Sequence, residues 1–124
     1  MRLEYLHRAN PNQKPTLLLH GDGSVVVRAL SAALANLTEQ GIDPSTFPGV
    51  EPVDQCSVIV QASKCETGIR RIGRSAFAWR LTEDAIDHVL GFLEPFMEAS
   101  AEKRFQWLEE SGEIDFIISR GRYC

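Results

Sequence analysis

Ala76-Phe77-Ala78-Trp79-Arg80-Leu81-Thr82-Glu83-Asp84-Ala85-Ile86-Asp87-His88-Val89-Leu90-Gly91-Phe92-Leu93 changes its hydrophobic period part-way along. Up to Leu81 the large apolar residues Phe77, Trp79 and Leu81 alternate with Ala76, Ala78 and Arg80, the period of a strand with one buried face. After Thr82 the apolar positions Ile86, Val89, Leu90 and Leu93 recur at three and four, the period of a helix. Thr82 is a capping residue and Glu83 and Asp84 sit where the helix dipole favours negative charge, so the helix starts there. Pro95 lacks an N–H and clashes with the preceding turn, which ends or bends the helix between Gly91 and Phe96. Strand followed by helix without a repeating βαβ pattern places the chain in the α+β class.

Before this stretch, Cys56–Ala62 reads as a strand, and Gly68–Leu81 returns after the turn at Lys64–Gly68 as the second arm of an antiparallel hairpin. Residues 2–7 read as a short edge strand. Asn10-Pro11-Asn12-Gln13-Lys14-Pro15 supplies a turn, and Thr16–His20 a second strand. Ser24 is the expected N-cap of a helix carrying Val26, Leu30, Ala33, Leu34 and Leu37 inward and ending at Gly41, although the β-branched Val25-Val26-Val27 weakens its first turn. The prolines and glycines of 41–55 make a connecting loop. Ala101–Glu110 is expected as another helix with Phe105 and Leu108 inward, ended by Ser111-Gly112. Residues 113–119 form a last strand with Ile114, Phe116 and Ile118 toward the helices. Apolar Ile117 on the other face marks that strand as central or as facing a partner. The predicted order is β-β-α-β-β-α-α-β: a mainly antiparallel sheet packed on helices, one domain over residues 1–124. A length of 124 residues with 44% hydrophobic content suffices for one core and not for two. An open sheet face or edge would be available for homodimerisation or for another protein.

Charges interrupt the first eight residues where a signal peptide needs an apolar core, and no run is long enough to span a membrane. A cytoplasmic location is expected, with no membrane contact. The three cysteines Cys56, Cys65 and Cys124 then read as free thiols, a Cys56–Cys65 bridge being the minor alternative.

The net charge of −4 disfavours nucleic acid as a general partner. Lys and Arg number 9 against 7 acids in residues 1–82, but 2 against 10 in residues 83–115. Glu94, Glu98, Glu102, Glu109 and Glu110, accompanied by Asp84 and Asp87, therefore form a candidate protein-interaction surface for a basic partner, with Trp107 as its aromatic anchor. Small size, no catalytic set and concentrated acid are the broad profile of immunity proteins that neutralise toxins, an analogy of class without a shared motif. A protein-binding or inhibitory module that is not an enzyme is the first functional expectation.

Two alternatives rest on other residues. His20-Gly21-Asp22-Gly23-Ser24 follows a strand much as the oxyanion loop of α/β-hydrolases does, making His20, Asp22 and Ser24 candidate ligand-binding or hydrolytic residues. The Gly-x-Ser-x-Gly elbow is absent, however, and so is the Gly-Lys-Ser/Thr ending of a phosphate loop. Arg70, Arg71 and Arg74, with Lys64 and Arg80 nearby, form a candidate anion or RNA site, whose adjoining Phe77 and Trp79 are expected to fill the core first. His7, His20 and His88 are scattered, and neither Cys-x-x-Cys nor His-Glu-x-x-His occurs, so no metal and no cofactor is expected.

Overall fold

The period of two at 76–81 produces a strand, and the wider spacing after Thr82 produces a helix. In the computed structural model, which describes residues 1–7, 14–21, 23–98 and 104–120, the elements are β1 (Arg2–Leu6), β2 (Thr16–His20), α1 (Ser24–Ala35), β3 (Glu51–Pro52), β4 (Ser57–Ala62), β5 (Gly68–Arg71), β6 (Ala76–Leu81), α2 (Glu83–Leu93), β7 (Phe105–Glu109) and β8 (Asp115–Ser119). They make a small α+β domain with two mixed sheets and two α-helices around a shared core.

The first sheet has the order β3-β1-β2-β8-β7 and the second the order β4-β6-β5. Pairing is less antiparallel than expected: β1–β2, β5–β6 and β7–β8 are antiparallel, whereas β1–β3, β2–β8 and β4–β6 are parallel. The expected hairpin from Cys56 to Leu81 is thus resolved differently. The tight reversal lies at Gly73–Ser75, where the Ile72 N–H donates to the Ala76 carbonyl at 2.8 Å. It joins β5 to β6 and leaves β4 to pair with β6 from the other side.

Alternation survives this change of partner. Phe77, Trp79 and Leu81 are all 0% exposed and face the core, where Val58 and Val60 of β4 join them. Leu17, Leu19, Phe116 and Ile118 line the inner face of the first sheet. The sheets meet through rings: Tyr5 lies 4.7 Å from Phe77 and Trp79 lies 4.9 Å from Phe116, centroid to centroid. Ile117 is buried on the outer face, as suits β8, which lies between β2 and β7.

Both helices begin near their expected starts. Thr82 caps α2 by accepting from the Ala85 N–H, and Pro95 converts its continuation into a 3-10 turn at Glu94–Met97. Ser24, the expected cap of α1, is instead its first helical residue. Gly23 occupies the cap position, with its carbonyl accepting from Val27 at 2.9 Å and no side chain capping the helix. The helix buries Val26, Val27, Leu30 and Leu34 and stops at Ala35, short of Gly41. Gly41 has φ +84, and a Cβ there would meet the Val60 carbonyl at 2.7 Å, so only glycine fits this crossing over β4.

The helix expected over 101–110 is corrected by the structure: residues 101–103 lie outside the described residues, and 105–109 form the strand β7. Phe105 and Leu108, expected to share an inward face, separate, with Phe105 46% exposed and Leu108 buried. Register shifts between Trp107, opposite Ile117, and Glu109, opposite Phe116, so Leu108 is the extra residue of a β-bulge. The bulge turns Leu108 and Glu109 both inward. Glu109 Oε1 there accepts from the Trp79 indole N–H at 3.0 Å, and its Oε2 accepts from the Ser111 N–H at 3.1 Å and hydroxyl at 2.6 Å.

A second local constraint lies at Asp54-Gln55, where both residues have positive φ, +52 and +60. The Cys56 N–H donates to the Val53 carbonyl across them, which makes a type I′ turn. Asp tolerates the left-handed region, whereas Gln gains nothing there. Gln55→Gly is therefore expected to stabilise the fold by about 0.5–1 kcal/mol, read as a higher urea midpoint at unchanged slope. Glu109→Ala should do the reverse, costing about 2–3 kcal/mol because it leaves the buried indole N–H unpaired, with Glu109→Gln costing less.

Candidate functional site

The sequence singled out three groups of residues, and the fold separates them. His20 ends β2 with its side chain on the outer face of the five-stranded sheet, where its ring Nε2 lies 2.8 Å from Glu4 Oε1. This pair is mostly shielded, with 14% and 27% of the respective side chains exposed. Ser24 lies elsewhere, in the first turn of α1. It lines a cavity of about 300 Å³ with Met1, Gly21, Gly23, Phe96 and Arg120, whereas His20 does not. Asp22 lies outside the described residues. His20 and Ser24 therefore share no hydrogen bond, and the histidine's visible partner is a carboxylate on a neighbouring strand. Arg120 at that cavity donates to the Pro95 carbonyl at 2.9 Å and stacks over Phe96.

The acidic surface is built mainly by α2. Its buried stripe, Val89 and Leu93, turns Glu83, Asp84 and Asp87 to solvent, and Glu94 and Glu98 continue the exposed face beyond its end. None of these five carboxylates makes an ion pair among the described residues. Glu110 is exposed in the β7–β8 turn, while Glu102 lies outside the described residues. Glu109, expected on this surface, is 6% exposed and belongs to the core, since the bulge swings it under the strand toward Trp79.

Edge strand β7 packs against α2 and carries the aromatic part of this region. Trp107 is 37% exposed and stands edge-on to Phe105 with centroids 5.4 Å apart. Phe92 on α2 is 38% exposed. Sequence reading placed Trp107 outside the apolar stripe but missed Phe105 and Phe92, because it assigned Phe105 to the inside of a helix and drew nothing from Phe92.

The arginines lie on the other sheet. Arg80 and Arg70 both approach Glu66, at 2.6 and 3.4 Å. Arg71 turns back to donate to the carbonyls of Gly73 and Arg74 and lies over the Tyr5 ring, and Arg74 is exposed. Phe77 and Trp79 beside them are fully buried and offer no stacking surface for a base.

Among the described residues no cluster of His, Cys, Asp and Glu is arranged to hold a metal ion, and no helix is long and apolar enough to cross a membrane. Cys56 and Cys65 are free thiols, the first buried and the second exposed. No protein-family model, curated protein or solved structure matches the chain.

Burial pushes the Cys56 thiol up from 9.0 to about 11, and the negative charges of Asp43 and Glu4 add to the shift. A raised folded-state value favours the protonated thiol, so its contribution to stability is complete below the unfolded value of 9.0 and is lost as pH rises toward about 11. Native protein is expected to alkylate at Cys65 and not at Cys56 near roughly pH 8, as peptide mapping would show, and Cys56→Ala should remove part of the alkaline loss of stability.

Proposed function

We propose that this chain is a protein-interaction module, of inhibitory type, whose partner presents a basic surface. The observation that carries this reading is the adjacency of two exposed features. Among the described residues, five carboxylates without ion pairs lie along and just beyond α2, and an edge-on tryptophan–phenylalanine pair lies on the edge strand packed against that helix.

Each feature has its own physical effect. Unpaired surface acids are fully hydrated and already carry the cost of mutual repulsion, which a cationic partner relieves. Such a field raises the encounter rate more than the final affinity. Trp107 and Phe105 supply apolar area that becomes an anchor once water is excluded around it. An edge strand also offers main-chain groups to a partner. Acids alone would fit a solvated helix face, but the exposed rings on the neighbouring strand are costly to hydrate and gain from being covered.

The test is affinity capture from the native cell, followed by kinetics with the captured protein. The expected partner is basic. Asp84→Lys with Asp87→Lys and Glu94→Lys should slow association by about tenfold or more at low salt, and Trp107→Ala should speed dissociation. Association unchanged by the triple reversal would overturn the reading, as would capture of acidic proteins alone.

A further inference from the structure

A second surface of opposite sign lies on the outer side of the three-stranded sheet. Residues directly opposed across strands share a face. Register therefore puts Arg70, Ala78 and Ile59 in one outward row, and Gly68, Arg80 and Gln61 in the next. Ala78 makes a low floor between Ile59 and Arg70, with Arg80 in the next row and the strongly exposed Ile72 two residues beyond Arg70 along the chain. Beside this face runs a groove of about 670 Å³ between β5 and the turn at Gly112-Glu113, lined among others by Glu66, Arg70, Arg71, Ile72, Ala78 and Arg80.

Strand β5 is also an edge. Its ladder is anchored by the Ile72 N–H bond to Ala76, so alternation directs the main-chain groups of Ile69 and Arg71 away from β6. Gly112 closes in on Ile69, where a Cβ on the glycine would lie 3.6 Å from the Ile69 nitrogen. Arg71 also lines the groove.

Glu66 is the informative residue. Its two carboxylate oxygens bridge Arg80 at 2.6 Å and Arg70 at 3.4 Å, yet its side chain is 43% exposed and those of the arginines 46% and 72%. Ion pairs this open to water contribute little to stability. One carboxylate therefore sits weakly held between two guanidinium groups, a geometry that another carboxylate can adopt in its place.

We propose that the outer face of β5 and β6 is a docking site for an extended acidic segment of a protein, one of whose carboxylates replaces Glu66 between Arg70 and Arg80. Small and aliphatic floor residues suit the alternate side chains of an extended peptide. The buried Phe77 and Trp79 leave no stacking platform for bases, which favours protein over nucleic acid. This site is independent of the acidic surface of α2, and Glu66 acts in it as a built-in competitor.

The probe is a capped heptapeptide alternating valine and glutamate, titrated into the full chain and followed by amide shifts. Shifts are expected over residues 66–72 and 78–80, with slowed exchange at the Arg71 amide. Glu66→Gln should tighten binding by about threefold, the size of effect expected from removing one weak ion-pair competitor. Arg70→Gln combined with Arg80→Gln should weaken it by about tenfold or more, with circular dichroism confirming that these exposed substitutions leave the fold intact. A valine–lysine peptide should leave the same amides unmoved. The proposal is overturned by absent shifts at millimolar peptide, by equal or weaker binding to Glu66→Gln, or by an oligothymidylate that perturbs the same amides at equal or lower concentration.

Discussion

Trp79 carries a polar atom that the core cannot leave unpaired. Its ring is fully enclosed between the two sheets, so its indole N–H needs an acceptor inside the protein. Glu109 provides it, and a buried carboxylate in turn needs further donors, which Ser111 supplies from its backbone and hydroxyl. These demands fix the path of the chain. Glu109 reaches inward only because β7 carries an extra residue, and Ser111 reaches back only because the turn to β8 begins at once. No described side-chain polar atom is left buried without a partner, so the network closes on itself. The same bond ties β6 of one sheet to β7 of the other, and the Trp79–Phe116 contact lies beside it.

How much of this could be read in advance follows from the range of the interactions. The strand at Phe77–Leu81, the helix after Thr82 and its interruption at Pro95 were legible because each depends on neighbours within a few residues. Strand β7 was not. Five residues with apolar side chains at 105 and 108 fit a helical turn as well as a bulged strand, and the bulge erases the alternation that would separate the two. The burial of Glu109 was equally hidden, because its partner is thirty residues away. Pairing in the second sheet was misjudged for a related reason. Two turns flank β5, and composition alone does not say which is the tight one.

The surface residues divide along the same line. Exposure of Asp84 and Asp87 follows from helix geometry, and composition correctly located the excess of acid. The arginines and the acids occupy different elements, as the strand and helix periods had already placed them, with Arg80 only three residues before Glu83. Charge changes sign where the hydrophobic period changes, at Leu81-Thr82. Cations suit a short exposed sheet edge, where they discourage indiscriminate pairing, and acids suit the first turn of a helix. Local preference and the segregation of charge therefore agree at this boundary.

The bulge at Leu108 also decides what this strand delivers to each side. A regular strand sends one side chain to each face in turn. The extra residue lets two consecutive side chains, Leu108 and Glu109, turn inward, so the strand supplies both an apolar group and a carboxylate to the interior while Phe105 and Trp107 keep the outer side. Removing that residue would restore plain alternation with the carboxylate still inward, and the interior would lose its leucine.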